Sequence, residues 1–319
     1  MGSRVHSHGL HSYCRLDLTQ GAEPPMTDLT LGILAGLASG LNWAVTSFLI
    51  RSLLGRLAPV EVSAIRATVG GGILIIAAIA AGEGRDMLQA PLWVVLSLWA
   101  AILLAMGLGD TLFFRSMEYL GLTPALCLSL INPLLTTLTG IALYGEPMTL
   151  SRLVGIGLVI SGLGLIVSGR EGDGARGPHA ARVGLPLVFL AAASWASSAT
   201  IMKPALRHVP VLAGTALRIP MAGLVLWLTP WTRGTLQSIR ASTPAERRRL
   251  VTVCFLNAVG SALFTVTIRS GGVAVGNTLA STSPLFAIPL EIAILKRRPS
   301  ARTIVGAVLT VSGIVCMGF

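Results

Sequence analysis

The sequence predicts an all-α membrane protein in which ten transmembrane helices form two inverted five-helix repeats. Three observations lead there. The 319 residues are 53% hydrophobic and only 12% charged, with a mean hydropathy of +0.77. Apolar runs recur along the whole chain, each of about 20 residues, which as helix rises about 30 Å, the thickness of a bilayer's hydrocarbon core. Lipid offers no partner for N–H or C=O groups, so such runs must be helices. Finally, one pattern occurs twice, 151–152 residues apart: Trp43-Ala44 and Trp195-Ala196, Arg66 and Arg218, Gly71 and Gly223, Pro133 and Pro284, Ser161-Gly162 and Ser312-Gly313. A repeat at fixed offset outranks local signals when a fold is read.

The first 28 residues form a polar head without an apolar core, so they are not a secretory signal. They read as disordered, or as the product of an upstream start with Met26 the true first residue. His6, His8 and His11 lie there with no fold around them to make a metal site. The four cysteines include no CxxC pair, so neither disulfides, zinc nor any cofactor is expected.

The first repeat is placed at 29–169, with spans at about 31–50, 62–82, 92–114, 122–143 and 150–169. Gly32, Gly36 and Gly40 give the first span a small-residue face, suited to close backbone contact in lipid. The fourth span carries Pro133 and runs into the turn Tyr144-Gly145-Glu146-Pro147; the fifth is a ladder of Gly155, Gly157, Ser161, Gly162 and Gly164. A Gly- and charge-rich linker, 170–183, leads to the second repeat, 184–319, with spans at about 184–205, 211–231, 249–269, 273–295 and 302–319. Thr243-Pro244-Ala245-Glu246 is a helix start, with Thr as N-cap, Pro at N1 and Glu at N3.

Five spans per repeat is an odd number, so the second repeat enters the membrane from the opposite side. Inverted repeats of this kind build many secondary transporters, with the substrate bound between the halves near the midplane. The formal net charge of +11 would suggest nucleic acid in a soluble protein. Here the basic residues lie almost entirely between apolar runs, fifteen on one side against five on the other, or seven with Arg4 and Arg15 of the head. They set topology, with the richer side cytoplasmic, and no nucleic-acid partner is expected.

The chain resembles the drug/metabolite transporter superfamily in its ten-span EamA form. The resemblance rests on a Trp in the first span and an Arg early in the second span of each half. It extends to Ser129-Leu-Ile-Asn-Pro133-Leu, Ser281-Thr-Ser-Pro284-Leu-Phe, Leu143-Tyr-Gly-Glu146-Pro-Met and the closing G-x-x-L-x-x-S-G of each half. The second half departs from the pattern where Arg297 replaces the turn Glu. The resemblance implies a multi-pass permease of the inner membrane. It would move a small polar metabolite, amino acid or drug-like solute, outward more often than inward, with protons the leading coupling ion. Its partners would be that solute and the bilayer; the oligomeric state stays open, a monomer included.

Ionisable residues inside spans are costly and therefore functional candidates: Arg66, Asp110, Arg218 and Glu291 are read as gate or coupling residues. Each has a bland alternative: Asp110 pairing with Arg115, Glu291 with Lys296 or Arg297, and the arginines reaching to an interface. Trp43, Trp195, Asn42, Asn132, Pro133 and Pro284 are read as substrate-path candidates. A mid-span indole can stack on a solute and donate to it, or simply pack; the asparagines and prolines leave the same choice open. Gly107-Leu108-Gly109-Asp110 matches the GxGD pattern of intramembrane aspartyl proteases. That chemistry needs two carboxylates sharing a proton, and no second Asp lies in a span, so no enzyme is expected. A non-transporting sensor or assembly protein is the remaining alternative.

Overall fold

The structure, a computed structural model, describes residues 26–144, 148–169, 177–296 and 299–318. The head histidines, Glu146, Arg297 and the start of the linker lie outside them. Among the described residues the chain is helical, with no strand beyond an isolated bridge between Leu54 and Leu57. Eight helical stretches are long and apolar enough to cross a membrane, and Ser283–Ile294 and Ala301–Met317 are shorter apolar helices. With apolar surface facing outward along them (Leu34, Ile76, Leu153, Leu224, Phe255 and Val308 are exposed), this is an integral, multi-pass membrane protein.

Helix α1 (Met26–Leu53) and α2 (Pro59–Ala80) form the first two stretches. Pro59 starts α2 where its missing N–H is no loss, and Glu61 Oε2 accepts from Ala58 N at 2.8 Å. After the short α3 (Gly84–Gln89), the third stretch is α4 (Leu92–Ile102), a π-helical segment from Leu103 to Asp110, and α5 (Thr111–Leu120). It ends at Gly121, whose φ of 87° excludes most other residues.

The fourth stretch is two helices, α6 (Leu122–Ser129) and α7 (Ile131–Tyr144), so Pro133 lies at the start of a new helix rather than mid-helix. Then come α8 (Leu150–Gly169), α9 (Gly177–Ala205) and α10 (Val211–Leu228), a 3₁₀ turn at Pro230–Thr232, and α11 (Thr235–Ala241). Helix α12 (Pro244–Ala280) opens on the expected capping box: Thr243 N donates to Glu246 Oε2 at 2.7 Å and Glu246 N to Thr243 Oγ1 at 3.3 Å.

The sequence places a break near residues 270–272, yet helical bonding runs on to Ala280. The axis nevertheless bends back. Thr267 and Leu279 would both lie within 3.0 Å of a Cβ on Gly36, whereas twelve residues of straight helix would separate them by about 18 Å. Helix α13 (Ser283–Leu295) starts 152 residues after the start of α7, and α14 (Ala301–Gly318) follows.

The helices pack in pairs that exchange the halves. Gly71 abuts Pro220 on α10 while Gly223 abuts Thr68 on α2; Gly155 abuts Gly313 while Gly306 abuts Gly162. In each pair the second contact is the first with its residues moved by the 151–152 offset. Helix α1 lies along α12, and α9 lies along α4, the π segment and α5. The core of the bundle is therefore formed by both halves.

Candidate functional site

A cavity of about 240 Å³ lies between the halves. Its first-half wall comes from α1 (Asn42, Trp43), α2 (Arg66), the π segment (Asp110) and the α6–α7 break (Asn132, Pro133). The second-half wall comes from α9 (Trp195, Ser198), α10 (Arg218), α12 (Asn257, Ser261) and the α12–α13 break (Ser283). Many of these positions are repeat equivalents: Trp43 and Trp195, Arg66 and Arg218, Asp110 and Ser261, Asn132 and Ser283.

One end of the polar wall is a closed cluster. Arg66 is 1% exposed. Its Nη2 donates to Asp110 Oδ2 and its Nη1 to Asn257 Oδ1 at 3.3 Å, and Asn257 Nδ2 returns a bond to Arg66 O at 3.2 Å. The guanidinium carbon lies 4.9 Å from the Phe114 ring centroid and 6.0 Å from that of Trp43, within cation–π range. Trp195 Nε1 donates to Asp110 Oδ1 at 2.9 Å and to Ala105 O at 3.1 Å. Trp43 meets Trp195 edge-on with centroids 5.9 Å apart. Both Asp110 oxygens are thus engaged, and the buried cation has its counter-charge, the condition under which a buried pair is tolerated.

The π segment makes this geometry possible. Widening the helix turn frees carbonyls for outside donors, which is why such segments recur at functional sites. Leu104 O accepts from Ser194 Oγ at 3.0 Å and Ala105 O from Trp195. One turn earlier Ala101 O accepts from Ser198 Oγ at 2.6 Å. Across the exchange, Asn42 Nδ2 donates to Leu256 O at 3.1 Å.

At the other end Arg218, 6% exposed, donates from Nη1 to Met202 Sδ. Both arginines are enclosed by protein. Pro284 does not itself line the cavity, although Ser281 and Ser283 beside it do. Glu291 lies away from the cavity, buried, and accepts from Thr123 Oγ1. Arg115, the sequence neighbour that could have held Asp110, instead pairs with Glu118 at 2.7 Å on the exposed side of α5.

A family model described as the EamA-like transporter family matches residues 30–168 and again 182–319. The chain belongs to the EamA-like transporter family. An uncharacterized transporter of Archaeoglobus fulgidus is 27% identical over 154 residues, covering 46% of this chain; the match spans about half, 51%, of that relative's length. The uncharacterized transporter YvbV of Bacillus subtilis is 22% identical over 87% of each chain. A solved crystal structure, 18% identical, covers 89% of this chain and 94% of its own with a TM-score of 0.66, a likeness of fold.

In this EamA-like chain the GxGD pattern has a packing explanation. A Cβ on Gly109 would lie 2.6 Å from both Trp195 Cδ1 and Nε1, so only glycine lets the indole reach Asp110. Its repeat equivalent, Gly260, is likewise closed by Asn42. Gly109→Ala should push the indole off Asp110. The expected result is a red-shifted tryptophan emission and transport lowered about tenfold, the worth of one hydrogen bond to a charged group; unchanged emission and transport would contradict the contact. Asn257 is legible as a polar residue inside a span, whereas Ser198 and Ser261 are members of the wall that single-residue reasoning passes over. The signal for the two serines was the repeat, since they sit at the offsets of Thr46 and Asp110.

Proposed function

We propose that the protein is a secondary transporter of the inner membrane that carries a small polar metabolite, amino acid or drug-like solute outward by alternating access. The observation that carries this reading is the central cavity walled by repeat-equivalent residues of both halves. The exchange of contacts between halves supports ten crossings in two inverted repeats, with rocking of one repeat against the other opening the cavity to either side. Trp43, Trp195, Asn42, Asn132 and Pro133 are the solute-facing candidates. Arg66 and Asp110 form a gate that opens when the pair separates. Protonation of Asp110 would weaken its hold on Arg66 and Trp195, which makes it the coupling group.

The test begins with cells overexpressing the protein under toxic concentrations of many metabolites, followed by flux of any protective solute in proteoliposomes. Protein-dependent movement of intact solute supports the reading; a protein that inserts, folds and moves none of them overturns it. Trp195→Phe keeps an aromatic ring and most of the volume and removes the N–H, and it should cut flux about tenfold. Trp43 shows stacking against Phe113 and Phe114, so Trp43→Phe should have the smaller effect.

A further inference from the structure

The two halves differ at one chemically decisive place. Arg66 and Arg218 are repeat equivalents, but their surroundings are not. The residues that bond the Nη atoms of Arg66 are Asp110 and Asn257. The offset that relates the halves turns these into Ser261 and Met106, both of which line the cavity with Arg218. A hydrogen bond between Thr215 and Thr265 at 3.2 Å ties α10 to α12. Arg218 stands three residues beyond Thr215, and Ser261 four before Thr265, so in antiparallel helices both lie one turn further along the same contact.

Among the described residues no ion pair includes Arg218. Its Nη1 meets only a thioether, a weak acceptor; its Nε, like that of Arg66, has no partner, so the difference between the two lies in the missing carboxylate. Glu83, the acidic residue that reaches α10, is used at the helix start, accepting from Ala213 N at 2.7 Å. Among the described residues the charged ones lining the cavity are Arg66, Asp110 and Arg218, and the first two neutralise each other. A guanidinium this buried without a counter-charge is costly, and its planar fork matches a carboxylate in two parallel bonds.

We propose that Arg218 is an anion anchor and that the cavity takes a small solute bearing one carboxylate. The proposal rests on the transport reading above and narrows its solute. A single surplus positive charge suits a monoanion over a phosphate dianion. Because both Asp110 oxygens are engaged, no anionic group among the described lining residues is free to hold a cation, so organic acids are favoured over cationic drugs. Ser198, Ser261 and Ser283 offer hydroxyls to the rest of the molecule.

The test is the thermal stability of the purified protein in detergent with a panel of small monocarboxylates, their primary amides, inorganic phosphate and a cationic dye. Monocarboxylates should raise the melting temperature and amides should not. Arg218→Gln should abolish the response, and Arg218→Lys should weaken it about tenfold, because lysine supplies charge without the fork. Ser261→Asp decides the matter even if Arg218→Gln fails to fold. Supplying the counter-charge found beside Arg66 should raise the melting temperature of the unliganded protein and remove the carboxylate response. The proposal is overturned if amides, phosphate or the dye stabilise as well as carboxylates, if none of the carboxylates stabilises, or if the response survives Ser261→Asp. A neutral or cationic solute emerging from the flux screen would overturn the anion anchor and leave transport standing. Carboxylate binding in a protein that moves nothing would do the reverse.

Discussion

Asp110→Asn is expected to remove most of the folded protein from the membrane. The carboxylate is the counter-charge of a guanidinium that is 1% exposed. Deleting one partner of a buried pair costs about 3–5 kcal/mol, because the other charge stays buried and uncompensated. The same substitution weakens the acceptor that holds the Trp195 indole. Stability and function are separable here. The double variant Arg66→Met with Asp110→Leu removes both charges, and well-packed apolar replacements for a buried pair are often neutral. It should return to near wild-type abundance and melting temperature while transport stays lost. If Asp110→Asn alone is abundant and active, the cluster is neither a stabilising nor a gating element.

Gly162→Val should be nearly as damaging, for a reason unrelated to charge. A Cβ on Gly162 would come within 2.6 Å of the Gly306 carbonyl and 2.7 Å of Thr310 N, and would also meet Thr310 Oγ1. These are mostly backbone atoms of α14, which cannot rotate aside. Between helices in lipid such close approach replaces the hydrophobic effect as the source of association. Overpacking costs about 1–3 kcal/mol where side chains can adjust, and here the helices must separate. Gly164→Val is the control within the same helix, since a Cβ there meets nothing within 4 Å. Abundance and melting temperature in detergent should fall for the first and hold for the second; equal behaviour would contradict the α8–α14 contact.

That pair of glycines shows how much of the fold is legible in the sequence. The ladder Gly155, Gly157, Ser161, Gly162, Gly164 announces close packing, but only Gly155 and Gly162 meet α14, while Gly157 and Gly164 face open space. Composition gives the small residues and not the side they face. The candidate site was legible to a similar depth. Trp43, Trp195, Arg66, Arg218 and Asp110 are conspicuous as polar or aromatic groups inside apolar runs, and all five line the cavity.

Their pairing was not legible. Asp110 has Arg115 five residues away in sequence and bonds Arg66 instead, forty-four residues away, because the π segment turns its carboxylate toward α2 and α9. No local pattern in Leu103–Asp110 marks a change from α to π bonding. Pro133, near the middle of its apolar run, reads equally as a kink or as a break in the helix; the chain breaks at Leu130 and begins a new helix before it, a position proline tolerates far better than an interior one. Pro284 likewise starts α13. Glu291 was conspicuous for the same reason as Asp110 but bonds Thr123 on α6 away from the cavity; burial alone does not say which side of a helix a carboxylate faces.

The central claim is that the cavity between the halves opens alternately to the two sides of the membrane. The direct measurement places one cysteine at Ser261, a cavity-lining position, in a variant lacking the four native cysteines. The accessibility of that cysteine to a membrane-impermeant thiol reagent is then read in right-side-out and in inside-out vesicles. Alternating access predicts labelling from both sides, slowed on both by the transported solute. Labelling from one side only, unaffected by solute in either orientation, would contradict it.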